Sequence, residues 1–122
     1  MTDTLKKQLG NRAEHQAALY LSEQQQMVVI EKNYRSQLGE IDLIMRDQED
    51  IVFVEVRSRT HSTQNPVESI NKTKQKKIMR TAVHFLQHKK WLHKVNYRFD
   101  IISILNDDIE WIKNAFVSEI YS

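Results

Sequence analysis

The stretch GEIDLIMRDQEDIVFVEVRSR, Gly39 to Arg59, decides the fold of this 122-residue chain, because it contains two β-rich runs separated by a polar break. If this break, residues 47–50, is a four-residue hairpin loop, the pairing of the two runs is fixed. In that register Asp42 lies directly opposite Glu55. Two acids are therefore predicted to face each other inside a sheet.

The predicted hairpin has one apolar face, because successive side chains of a strand point to opposite sides of the sheet. This face is expected to be core and comprises Ile41, Leu43, Met45, Val52, Val54 and Val56. The other face carries Asp42 and Glu55 together with Arg57, which this register places opposite Glu40. A shift by one residue would bury the acids, so the hydrophobic pattern favours this register.

Asp42 and Glu55 would have Cβ atoms about 5 Å apart, where two carboxylates repel by about 3 kcal/mol at an effective dielectric constant of ~20. In a structural interpretation, Arg57, Arg46 or a helix lysine neutralises the pair, or the face is wet. In a functional interpretation, the acids hold Mg²⁺, whose octahedral coordination suits two carboxylates, a carbonyl and waters. Arg57 would then stand beside the ion, and a metal with a cation is the minimal equipment for phosphodiester hydrolysis.

The remaining sequence predicts a mixed β-sheet flanked by helices, an α/β fold in a single domain over residues 1–122. Periodicity and capping signals indicate helices over residues 5–25 and 65–90, the second with a break near Asn71. The first three strands should form an antiparallel meander, and the long helix is a crossover that makes its flanking strands parallel. Further strands are indicated over residues 27–34, 95–105 and 109–116.

The composition excludes several classes of protein. The chain has no cysteine, so it has neither disulfides nor a thiolate metal site, and a reducing cytoplasm is the simplest setting. The sequence shows no signal peptide and no apolar run of the ~20 residues that a membrane span needs. It also lacks the G-x-S-x-G and G-x-x-x-x-G-K motifs. We expect a soluble cytoplasmic protein without membrane association.

The net charge is only +2, but basic residues are concentrated between Ser69 and Phe99, a segment without any acid. Such a segment is either a solvated helix face or a surface for a polyanionic partner. The residues predicted to bind DNA backbone phosphates are Lys72, Lys74, Lys76, Lys77 and Arg80.

Other polar residues allow more than one interpretation. Glu14 lies at the edge of the apolar stripe of the first helix, where it either reaches solvent or belongs to a site. His84 and His88 have the spacing of a zinc site, but without a nearby acid we favour surface or phosphate-contacting histidines. Structural roles are favoured for Asp100, Trp91 and Trp111.

From about residue 8 to 117 the sequence resembles the YraN family of predicted endonucleases. The resemblance is carried by NRAEHQAALYL, GEIDLIMRD, IVFVEVRSR, RFDIISI and IEWIKNAF, and Asp42 with Glu55-Val56-Arg57 is similar to the PD-(D/E)XK nuclease signature. It implies a restriction-endonuclease-like core, related to archaeal-type Holliday-junction resolvases. By position, Glu14 matches the helix glutamate of the nuclease site, the two strand acids match the metal ligands, and Arg57 replaces the usual lysine.

The implied function is hydrolysis of phosphodiester bonds in DNA, branched or structured DNA in particular, with Mg²⁺ or Mn²⁺. Asp42 and Glu55 would hold the metal, Glu14 would assist through water or a second metal, and Arg57 would contact the phosphate. Because arginine keeps its proton above about pH 12, Arg57 cannot act as a general base. A non-catalytic nucleic-acid-binding module and a protein-interaction scaffold are the alternatives. DNA is the predicted partner, and a homodimer is left open.

Overall fold

The structure is a computed structural model that describes residues 3–61, 63 and 65–117. Five strands form one sheet in chain order: β1 (Val28–Ser36), β2 (Gly39–Asp47), β3 (Asp50–Arg59), β4 (Tyr97–Leu105) and β5 (Asp108–Phe116). Strands β3 and β4 are parallel, and all other neighbours are antiparallel. The predicted mixed sheet, a meander with one parallel pair, is confirmed.

Two helices complete the fold. Helix α1 covers Asp3–Leu19 and continues as a π-helical turn over Tyr20–Gln24, close to the predicted end. Helix α2 covers Lys72–Lys89 and connects β3 to β4. In the described part of the chain, neither helix combines the length and apolar character that a membrane span requires.

The predicted break at Asn71 is the true beginning of α2. The Asn71 side chain accepts a hydrogen bond from the main-chain nitrogen of Lys74 at 2.8 Å and caps the helix. Residues 65–70, predicted to be helical, form turns instead. Asn65 Oδ1 accepts hydrogen bonds from the main-chain nitrogens of residues 67 and 68, so this capping signal starts a turn that the extended Asn71 interrupts.

Each helix covers one face of the sheet. The α1 side buries Ala17, Ala18 and Leu21 against Leu43, Met45, Val52, Val54 and Ile102. The α2 side buries Ile78, Ala82, Phe85 and Leu86 against Ile44, Ile51, Phe53 and Ile101. The two tryptophans pack at the margins of these clusters, as predicted. The sheet is therefore a central layer with core on both sides.

The β2–β3 hairpin has the predicted register but a shorter connection. Leu43 faces Val54 as predicted, but Asp47 and Asp50 also face each other. The connection is therefore a two-residue turn over residues 48–49, where residue 48 has a φ of 57°, and not a four-residue loop.

Regular pairing of β2 with β3 ends at Leu43 and Val54, and the predicted alternation fails beyond that point. Ile41 was expected on the same face as Leu43, but it packs in the α2-side cluster. Its neighbour strand β1 has a left-handed residue here, Asn33, with a φ of 53°. Before Leu43, this end of β2 has no partner in β3 and is paired with β1 alone.

Asp100 has the structural role that the sequence favours. Its carboxylate is fully buried and accepts hydrogen bonds from Arg98 Nε at 3.1 Å, Trp111 Nε1 at 2.9 Å and the main-chain nitrogen of Asn114 at 2.9 Å. Arg98 also contacts Asp47 in the hairpin turn, with 3.0 Å between Nη2 and Oδ2. This network links the β2–β3 turn to strands β4 and β5.

Candidate active site

The four residues predicted to be catalytic line one cleft, which lies where β2 and β3 stop pairing. Its volume is about 630 Å³. Its walls are formed by α1, the ends of β2 and β3, and the first turn of α2, and comprise Gly10, Ala13, Glu14, Glu40, Asp42, Glu55, Val56, Arg57, Ser58 and Lys74. Side chains from both faces of the sheet thus meet at its open end.

The carboxylates of Asp42 and Glu55 each accept a hydrogen bond from the main chain of the other residue's strand. Asp42 Oδ2 accepts from the main-chain nitrogen of Val56 at 2.9 Å, and the main chain of Asp42 in turn donates to the Glu55 carboxylate. The two acids are neighbours as predicted, but they are not a regular ladder pair, because the ladder ends one residue earlier.

Glu55 is buried, with only 5% of its surface exposed. Burial raises the pKa of Glu55 to about 8, and the negative charge of Asp42 contributes, while Lys74 and Arg57 act in the opposite direction. Lys74 Nζ lies 3.9 Å from Glu55 Oε2. This carboxyl group therefore largely keeps its proton at neutral pH. Added positive charge would favour its ionised form.

Glu14 and Asp42 form a carboxyl–carboxylate pair. Burial, together with the charge of Asp42, raises the pKa of Glu14 to about 7, while a hydrogen bond from the Asn33 side chain lowers it. Burial also raises the pKa of Asp42, although hydrogen bonds from Val56 and Glu14 oppose the rise. Glu14 is therefore the proton donor of the pair, and it belongs to the site and not to a solvent-facing flank.

Arg57 lines the cleft beside the acids. Its Nε is buried and has no hydrogen-bond partner among the described residues. The prediction that Glu40 lies opposite Arg57 is wrong. Glu40 pairs with Arg35 of β1, with 3.2 Å between Oε2 and Nε, because this end of β2 remains paired with β1 alone. Arg57 is therefore not engaged by Glu40.

The donor set fits a divalent cation of the Mg²⁺ type. Among the described residues, no group of three or more His, Asp and Glu side chains is arranged to enclose a metal ion. Mg²⁺ does not require such an enclosure, because it is usually bound by one or two carboxylates and keeps several waters. Asp42 and Glu55 supply two carboxylates at an open cleft, and burial raises the pKa of both although Lys74 and Arg57 act in the opposite direction.

The predicted DNA-binding residues lie on the exposed side of α2, and their side chains are accessible: Lys72, Lys74, Lys76, Lys77 and Arg80. Lys74 differs from the others, because its side chain also reaches the acids of the cleft. The sequence predicted that a helix lysine could neutralise the acids but did not indicate that Lys74 is this residue. The available signal was topological, since the first turn of a crossover helix lies near the carboxyl end of the preceding strand.

A larger groove, of about 800 Å³, lies beside α2 next to the loop before β4. It includes Arg80 and His84 but none of the four residues predicted to be catalytic. His84 Nδ1 lies 2.6 Å from the Tyr34 hydroxyl, and both histidines of the predicted i, i+4 pair are exposed. The groove therefore extends from the basic side of α2 to two acids of the β2–β3 turn region, Glu49 and Asp50.

Most of the chain is similar to known proteins. The model of the family described as "Uncharacterised protein family UPF0102" matches residues 13–104. The chain belongs to the UPF0102 family. A UPF0102 protein of Coxiella burnetii strain RSA 331 is 44% identical over 118 residues, which cover 95% of this chain and 98% of the relative.

Other UPF0102 proteins show similar agreement. Those of Nitrosomonas eutropha and Methylobacillus flagellatus are each 46% identical, over 90% of this chain and over 94% and 97% of their own lengths. The residues matched by the UPF0102 model include all of the acids of the cleft, Arg57 and the basic part of α2. The candidate site thus lies inside the segment that defines the family match.

Proposed function

We propose that this UPF0102 protein is a metal-dependent endonuclease that hydrolyses phosphodiester bonds of DNA, with branched or structured DNA as the substrate. The observation that carries the proposal is the meeting of Asp42, Glu55, Glu14 and Arg57 in one open cleft beside a basic helix. A restriction-endonuclease-like relationship, which the similarity to the YraN family and the PD-(D/E)XK signature implies, is part of the same proposal.

In this proposal Asp42 and Glu55 hold Mg²⁺ or Mn²⁺. A bound ion of this kind polarises a phosphoryl oxygen and lowers the pKa of water. Glu14, which carries a proton near neutral pH, orients the Asp42 carboxylate and water near it. Arg57 binds a phosphate oxygen with a guanidinium that cannot give up its proton. Its position in the cleft beside the acids supports this assignment.

Helix α2 supplies the contact to the DNA backbone. Its exposed lysines begin at the cleft and continue along the helix, where they would bind phosphates without reading sequence. Helix residues are spaced by about 1.5 Å along the helix axis, so the segment from Lys74 to Arg80 is about 9 Å long. A segment of this length can contact neighbouring phosphates of one DNA strand. Cytoplasmic DNA is the substrate that we expect this surface to encounter.

The test is nicking of a four-way DNA junction and of a linear duplex with added Mg²⁺ or Mn²⁺. Asp42→Asn and Glu55→Gln should each reduce the metal-dependent rate at least about 100-fold, because each removes a metal ligand. Glu68→Gln, which alters an exposed glutamate away from the cleft, is the matched control. Absence of cleavage by the wild-type protein with either metal would refute the nuclease proposal.

One observation favours a second candidate, a nucleic-acid-binding module without cleavage. Lys74 lies 3.9 Å from Glu55 and partly neutralises the acids without any metal. For such a module, salt-sensitive DNA binding should persist while both substitutions leave DNA affinity unchanged and no nicking occurs. A protein-interaction scaffold would show no salt-sensitive DNA binding.

A further inference from the structure

Lys74 has a main chain that is held by a helix cap and a side chain that is partly exposed. Its main-chain nitrogen is held by the Asn71 cap at 2.8 Å, in the first turn of α2. Its side chain is 45% exposed, whereas that of its partner Glu55 is only 6% exposed. The ammonium group at the end of a four-carbon stem can therefore change position while the helix stays in place.

Two neighbouring clefts are within reach of this side chain. Lys74 lines the cleft that contains the acids, and it also lines a second cleft of about 370 Å³. The second cleft lies between the start of β2 and the first turns of α2, and Lys77 is its other cation. Rotation of the Lys74 side chain would therefore move its ammonium group away from Glu55 and into the second cleft, which Lys77 also lines.

A divalent cation bound by Glu55 would compete with the Lys74 ammonium for the same carboxylate, and the two like charges would repel at short distance. Arg57 is a poor candidate for the group that leaves, because its Nε is buried on β3, whereas the side chain of Lys74 is half exposed. The partly exposed lysine therefore yields to the metal.

We propose that Lys74 is a mobile cation of this site, a positioning residue that links metal binding to DNA binding. Without metal its ammonium lies beside the Glu55 carboxyl group. When Mg²⁺ or Mn²⁺ binds, the ammonium turns to the second cleft and holds a non-bridging oxygen of the DNA phosphate next to the scissile one. This inference rests on the proposed nuclease function and adds a residue that the strand motif does not contain.

The test measures metal affinity and nicking separately. Isothermal titration with Mn²⁺, without DNA, compares wild type with Lys74→Gln, Lys74→Arg and Lys32→Gln, a control that removes an exposed lysine of β1. Lys74→Gln should bind Mn²⁺ about two- to fivefold more tightly, the range that a partly exposed ion pair is worth. Lys74→Arg and the control should bind it as the wild type does.

With DNA the effect should reverse. Lys74→Gln should lower kcat for nicking about 10- to 100-fold at saturating Mn²⁺, and Lys74→Arg should restore part of the rate. Lys32→Gln should match the wild type in both measurements.

Three outcomes would overturn the inference. If Lys74→Gln matches Lys32→Gln in Mn²⁺ affinity and kcat while the wild type cleaves, Lys74 has no such role and the nuclease proposal stands. If Lys74→Gln raises only KM, Lys74 is an ordinary phosphate contact. If the wild type neither binds Mn²⁺ nor cleaves, the mobile cation and the proposed function both fail.

Discussion

Replacing Glu55 by Gln should stabilise the metal-free protein, and the gain should grow with pH. In the folded protein burial raises the pKa of this carboxyl from 4.5 to about 8. The folded state therefore keeps a proton that the unfolded chain releases, and it binds more protons than the unfolded chain between these two values. Stability contributed by this group is full below about pH 4.5 and is lost as the pH rises towards 8.

The magnitude follows from the same two values. At about 1.36 kcal/mol per pH unit, the difference between 4.5 and about 8 corresponds to about 5 kcal/mol when Glu55 is fully ionised. At pH 7 the corresponding loss is about 3 kcal/mol. The pKa of about 8 already includes the attraction of Lys74 and Arg57, so Glu55→Gln removes this cost without a separate loss for the ion pair, and we expect a gain of about 4 kcal/mol at pH 8.

Urea unfolding in EDTA at pH 5 and at pH 8 provides the measurement. The free energy of unfolding should fall by several kcal/mol between these pH values for the wild type and by less for Glu55→Gln, in which Glu14 and Asp42 still contribute because burial also raises their pKa values. Glu68→Gln, which changes an exposed glutamate, should keep the slope of the wild type. A wild-type stability that does not change with pH, or a Glu55→Gln protein less stable than wild type at pH 8, would refute the reasoning.

Four further results are expected. Mg²⁺ at 100 times its Kd should stabilise the wild type by about 2.7 kcal/mol in thermal melts, and Asp42→Asn should abolish most of this gain. Gly39→Ala should cost about 1–3 kcal/mol in urea unfolding, because residue 39 has a φ of +154° and a Cβ would lie 3.0 Å from Thr81 Oγ1. Asp100→Ala should cost about 3–5 kcal/mol because Arg98 loses its buried partner, yet nicking at a temperature where the variant is folded should persist. Lys76→Gln should reduce the slope of log affinity against log salt by about 0.9 in DNA-binding titrations.

The sequence predicted the hairpin register because its alternating pattern assigns six apolar residues to one face, and only one alignment buries them. Extending this register placed Asp42 near Glu55, although regular pairing ends one residue earlier. The long helix between two strands required the parallel pair β3–β4. A break near Asn71 was also predicted, and α2 begins there, whereas the capping signal at Asn65 starts only a turn. These features depend on residues that are close in sequence or on the period of the hydrophobic pattern, so the sequence alone indicates them.

The tertiary structure decided which groups complete the site. Glu14 could have faced solvent, because a residue at the edge of a helix stripe reaches the site only if the helix docks at the right angle. The failure of alternation at Ile41 and the partner of Glu40 depend on where pairing with β3 ends, which the strand pattern does not encode.

Lys74 shows the division between the two sources of information. The sequence identified it as one lysine among several on a basic helix, but only the crossover of α2 over the sheet brings its ammonium to Glu55. A periodic pattern specifies which face of an element is buried, because burial depends on side-chain polarity along that element. It does not specify contacts between separate elements, because those depend on how the packed layers are placed relative to one another.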